Sequence, residues 1–115
     1  MTFLQILKIL AALATLITGL ISFLRPRSVF GFTGLNAPGP RGITEIRAVL
    51  GGAFIGLGLA PLLLGNSPLT YQILGLMYIA IALTRGIGLV VDKSVVQSNV
   101  ISLVTEIVLG VILVL

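Results

Sequence analysis

The chain has 115 residues, of which 57% are hydrophobic and 9% charged, with a net charge of +4 and a mean hydropathy of +1.24. Soluble domains carry charge on about a quarter of their residues, so an ordinary water-soluble fold is excluded, and the length allows one domain, 1–115. With no Cys and no His, the chain lacks disulfides, thiolate metal sites, a Cys nucleophile and the commonest general base, which argues against an enzyme and leaves no metal site to expect.

A membrane-spanning helix needs about 20 mostly apolar residues. The first such stretch is 2–24. Ala12-Leu13-Ala14 resembles a leader cleavage site, but the segment has no basic start, so it is expected to be a retained span rather than a signal peptide. A longer connection follows over 25–42. Its prolines, Pro26, Pro38 and Pro40, prevent it from forming one helix. Phe30 and Phe32 suit the headgroup level and predict that the connection lies partly on the bilayer.

The second stretch is 43–64. It opens with Glu45 and Arg47 and then shows small residues at four-residue spacing, Ala48, Gly52, Gly56 and Ala60. Lipid does not drive apolar helices together, so small residues matter because they let backbones approach. The stripe predicts an internal bundle face or, alternatively, a face for another subunit. Gly51 and Gly58 fall on other faces. Pro61 and the glycines would also permit bending.

The third and fourth stretches, 69–91 and 95–115, follow tight turns at Asn66-Ser67-Pro68 and Asp92-Lys93-Ser94, with Ser94 a candidate N-cap. Short turns predict that spans two, three and four are antiparallel neighbours. Tyr71, Tyr78, Arg85 and Asp92 recur every seven residues and so share a slowly drifting face. Ser98, Ser102, Glu106 and Gly110 recur every four and share another.

These two faces are expected to meet. Counted from the turn, Arg85 lies roughly 10 Å deep, Glu106 roughly 18 Å and Tyr78 roughly 20 Å. An acid at that depth needs a partner, a proton or water. The predicted buried polar cluster is therefore Glu45, Arg47, Tyr78, Arg85, Asp92 and Glu106. Its role is either a register-fixing network or a cavity for a proton, ion or headgroup.

Basic residues orient the chain. Arg25, Arg27, Arg41 and Arg47 cluster around the first connection and Lys93 lies in the last turn. The positive-inside rule then places both connections in the cytoplasm and both termini outside, in a multi-pass protein of the cell (inner) membrane.

The run Gly42-Ile43-Thr44-Glu45-Ile46-Arg47-Ala48-Val49-Leu50-Gly51-Gly52, followed by Gly56-Leu57-Gly58-Leu59, resembles the Glu-x-Arg-Ala…Gly-Gly…Gly-Leu-Gly-Leu signature of a family of small bacterial four-helix membrane proteins. That family is catalogued only as a domain of unknown function, of the 4345 type. Ala82-Leu83-Thr84-Arg85, Asp92, Glu106 and Gly110 extend the resemblance over spans two to four. It implies a four-helix membrane fold with Glu45, Arg47, Arg85 and Glu106 as polar positions, and it implies no reaction.

The expected fold is an all-α antiparallel bundle of four transmembrane helices with one longer interfacial connection. The expected function is a non-catalytic accessory or structural subunit that packs against other membrane proteins or its own copies. The alternatives are a small ion-coupled carrier using Arg85 and Glu106, and a module contacting quinone, lipid or pigment. No cofactor is predicted, a bound lipid or quinone being the one ligand class left open. The partners expected are the bilayer and other membrane subunits, not nucleic acid.

Overall fold

In the computed structural model, which describes residues 1–115, each of the four apolar stretches forms a helix long and apolar enough to cross a membrane. These are α1 (Phe3–Leu24), α3 (Pro40–Leu63), α4 (Pro68–Val91) and α5 (Gln97–Val114), and the chain has no strand. A fifth, short helix, α2 (Val29–Thr33), lies in the first connection. At 1.5 Å per residue a 24-residue helix is about 36 Å long, enough to cross the roughly 30 Å hydrocarbon layer with some tilt. The fold is all-α, a four-helix multi-pass membrane protein.

Local chemistry sets the helix ends. Thr2 and Gln5 form a capping box at the start of α1, each side chain accepting from the other's backbone N–H. Pro40 and Pro68 occupy the first position of α3 and α4, where a missing N–H costs nothing. Pro40 starts α3 three residues earlier than the apolar run suggests. In the first connection a short 3-10 turn, Pro26–Ser28, leads into α2. Gly34 ends α2 in the left-handed region at φ +76°.

The last turn differs from expectation. Ser94 is not the N-cap of α5; the helix begins two residues later than 95, after an extended Val96. The backbone is occupied in closing the turn, with Lys93 at φ +51° and the Ser94 N–H bonded to the Leu89 carbonyl. The Ser94 hydroxyl donates instead toward the Gly88 carbonyl and accepts from Asn99.

Packing follows glycines rather than chain order. The expectation that spans two, three and four are close neighbours holds for α4 against α5, but α3 packs chiefly on α1, across the long connection. A Cβ added at Gly58 would lie 2.6 Å from the Leu16 nitrogen, and one at Gly19 would lie 2.6 Å from the Ile55 nitrogen. At Gly51 it would meet the Phe23 Cβ at 3.0 Å. These are backbone-to-backbone approaches that any side chain would prevent. The α4–α5 pair is built the same way: a Cβ at Gly75 would lie 2.9 Å from the Leu113 Cβ, and one at Gly110 would lie 2.7 Å from the Ile79 Cγ1.

The predicted packing stripe is therefore corrected. Ala48, Gly52 and Gly56 are exposed and Ala60 half-buried, and no other part of the chain comes within 4 Å of a Cβ at Gly52 or Gly56. The inward set is Gly51, Ile55 and Gly58, one residue round the helix and so about 100° away. After an α-helical start over Pro40–Glu45, α3 is π-helical over Ile46–Ala53 and α-helical again from Phe54.

The two pairs join through a small core of Ala11, Ala12, Tyr71, Leu74, Tyr78 and Leu113. This core lies toward the end of the molecule that carries the termini and the Asn66 turn, since Met1, Asn66 and Tyr71 line one hollow there. The periphery is apolar: Leu10, Ile17, Leu76, Leu83, Val104 and Ile107 are all exposed, as hydrocarbon-facing residues of a spanning bundle are.

A paired substitution checks this packing. Gly58→Ala should cost about 1–3 kcal/mol through overpacking against α1. Gly52→Ala should be neutral or slightly stabilising, because Ala is the better helix former by about 1 kcal/mol. Thermal unfolding in detergent micelles followed by circular dichroism separates them; equal midpoints would refute the assignment of the inward face.

Candidate functional site

Arg85 lies six residues before the end of α4 and Glu106 nine residues after the start of α5. That places their Cα atoms about 9 and about 14 Å from their helix ends, a mismatch a long arginine stem can span. The two side chains meet in a bidentate fork. Arg85 Nε donates to Glu106 Oε1 and Nη2 to Oε2, both at 2.7 Å. Nη1 donates to Asn99 Oδ1 at 2.9 Å. Asn99 is itself held, its amide donating to the Ser94 carbonyl at 3.0 Å and the Ser94 hydroxyl at 3.1 Å.

The environment makes this geometry matter. Glu106 is buried at 8% exposure, while the Arg85 side chain keeps 33%. An unpaired carboxylate in hydrocarbon is costly, and two parallel charge-assisted bonds are the strongest side-chain answer to it. No buried side-chain nitrogen or oxygen in the chain lacks a hydrogen-bond partner.

The other predicted members of the cluster are elsewhere. Tyr78 is buried but bonds Thr15 on α1, not Glu106. The Thr15 proton goes to the Ala11 carbonyl, so Tyr78 is the donor. Glu45 pairs with Arg41 one turn earlier at 3.0 Å, an exposed contact of small energetic weight. Arg47 donates from Nη1 to the Phe23 carbonyl, in the last turn of α1, where carbonyls have no helical partner. Asp92 is exposed in the turn and makes no ion pair, although it lines a shallow hollow with Arg85 and Asn99. Glu45, Asp92 and Glu106 do not gather with one another as a metal site.

Sequence reasoning missed Asn99 and Thr15. The signal for Asn99 was present: Asn99, Glu106 and Leu113 are seven residues apart, the spacing that marked the inward face of α4. The four-residue series divides instead. Glu106 and Gly110 face α4, whereas Ser98 and Ser102 line a cavity of about 460 Å³ with Arg85, Asn99, Leu50 of α3 and residues 31–35 of the first connection. Thr15 is marked less sharply: α1 carries three hydroxyls, Thr15, Thr18 and Ser22, of which Thr15 and Ser22, seven residues apart, are buried.

A model of the family described as Domain of unknown function (DUF4345) matches residues 3–115. The chain belongs to that family. The match includes α1 and the first connection, which the motif-based resemblance leaves to hydropathy. No curated protein and no solved structure matches the chain. Family membership therefore accords with the membrane-helix fold and assigns no reaction to the Arg85–Glu106–Asn99 network.

The energetic weight of the network is measurable. Arg85→Leu should destabilise by about 3–5 kcal/mol, because it strands Glu106. Adding Glu106→Leu should restore most of the loss. Equal stability of the single and double variants in micellar unfolding would contradict a coupled pair. Tyr78→Phe should cost about 1 kcal/mol, and Thr15→Val should add little once the phenol is gone.

Proposed function

We propose that the chain is a non-catalytic structural subunit of a membrane assembly, and that its neighbour across the open face of α3 is a second copy of the chain. The observation that carries this reading is the contrast among glycines of one helix. Gly51 and Gly58 are filled by α1, whereas Gly52 and Gly56 meet nothing. Two turns of glycine on a lipid-facing surface weaken a helix by about 1 kcal/mol per residue unless something packs there. A two-fold axis brings an identical stripe against it, and matched small-residue stripes allow the closest backbone approach.

The polar network supports the same reading. A carrier works by letting an acid exchange its partner, and Glu106 is engaged at both oxygens by one guanidinium. That arrangement fits a register lock between α4 and α5 better than a transport step. Lys93 and the arginines gather at the end opposite the termini, so the positive-inside rule orients that end to the cytoplasm of a cell (inner) membrane.

Native mass of the purified protein in mild detergent or lipid discs tests the proposal. Twice the 12.0 kDa chain mass is expected. The variant carrying Gly52→Leu and Gly56→Leu should run as a folded monomer with its helical circular dichroism retained, since neither position touches its own chain, and its thermal midpoint should lose the dependence on protein concentration that a dimer shows. A wild-type monomer in both media would overturn the proposal.

A further inference from the structure

The cavity under α2 has a composition that the packing role leaves unused. It lies between the two helix pairs at the Lys93 end, with Arg85, Ser98 and Ser102 on one side and Phe32, Leu35 and Leu50 on the other. Its volume of about 460 Å³ is within the roughly 300–1,000 Å³ range of small-molecule sites. We propose that it binds the head of an uncharged amphiphile bearing carbonyl oxygens, whose tail continues into the bilayer.

Hydrogen-bond capacity leads to this class. A guanidinium has five N–H groups. Three of those on Arg85 serve Glu106 and Asn99, so two remain, on a side chain that is one-third exposed and borders the cavity. The hydroxyls of Ser98 and Ser102 make no hydrogen bond within the chain, although Thr105 on the same helix and Thr84 on α4 each donate to a carbonyl of a preceding turn. These hydroxyls are not sealed off as unsatisfied buried groups, so they retain access to the cavity. The two free guanidinium N–H groups can only donate and the two hydroxyls can donate as well as accept, so a ligand acceptor satisfies all of them.

Charge narrows the class. Arg85 is the one ionisable residue in the cavity lining, and Glu106 balances it. The lining therefore carries no net charge of its own, so an anionic head finds no unpaired cation there and loses its hydration. A carbonyl oxygen accepts from the same donors without that cost. The apolar wall of Phe32, Leu35, Leu50 and Val96 suits a ring or a glycerol backbone with acyl chains. A quinone and an uncharged diacylglycerol share this chemistry.

Native mass spectrometry of the detergent-released protein tests the assignment with three probes: a decyl-substituted benzoquinone, dioctanoylglycerol and dioctanoyl phosphatidic acid. One adduct per chain is expected with the quinone or with the diacylglycerol, and whichever is retained identifies the source of the carbonyl. Ser98→Ala with Ser102→Ala leaves the Arg85–Glu106 fork intact and should weaken that adduct about tenfold, equivalent to two modest hydrogen bonds. Ser102→Leu should abolish it by filling the space. Absence of an adduct with both neutral probes, preferential retention of the phosphatidic acid, or unchanged binding in the two-serine variant would each overturn the proposal.

Discussion

Glu106 dictates most of what surrounds it. A carboxylate at 8% exposure within a membrane-spanning helix has little solvent to fall back on, and Arg85, Asn99 and Ser94 are arranged as an answer to it. Arg85 supplies the countercharge in a geometry that only guanidinium offers, two parallel bonds from one plane. Asn99 then fixes that plane from a third side, and the backbone and hydroxyl of Ser94 fix Asn99. The tight turn between α4 and α5 belongs to the same construction. Ser94 could not serve both as the helix cap and as the anchor of Asn99, and it serves the anchor.

The remaining cohesion is steric. Apolar surface gains nothing by leaving lipid for protein, so helices associate where backbones can touch. Gly19, Gly51 and Gly58 achieve this for α1 with α3, and Gly75 with Gly110 for α4 with α5. The result is two close-packed pairs held together by a core of few side chains and by the Tyr78–Thr15 hydrogen bond. The polar fork ties the second pair internally, while the phenol ties that pair to α1. This division explains why one heptad of α4 sends its polar residues to different partners.

Hydropathy made the four spans legible, because hydrophobic length is a one-dimensional property. Seven-residue spacing made the inward face of α4 legible for the same reason, and Arg85 and Glu106 were marked by their scarcity in lipid. What the sequence concealed was azimuth. Gly51 and Gly52 are adjacent, yet one is filled by Phe23 and the other faces away from the chain. A repeat of small residues cannot state which of two overlapping stripes meets a neighbour. Partner choice was likewise hidden: Tyr78 has a carboxylate on its own level and a threonine across the bundle, and only three-dimensional placement selects the threonine. Glu45 found Arg41 locally because both lie at the exposed start of α3, where water removes the need for a deeper partner.

The π-helical stretch Ile46–Ala53 carries a consequence of its own. Such a segment holds more residues per turn than its α-helical flanks, and its bonds reach five residues rather than four. It is therefore the one place in the spans where chain length and helix phase are separable. Removing a single residue there would let the segment rewind to ordinary pitch while Pro40 and Gly58 keep their bearings. The same deletion in α4 would swing Tyr78 and Arg85 off their partners together. Within the spans, tolerance of length change is thus confined to the under-wound stretch of α3.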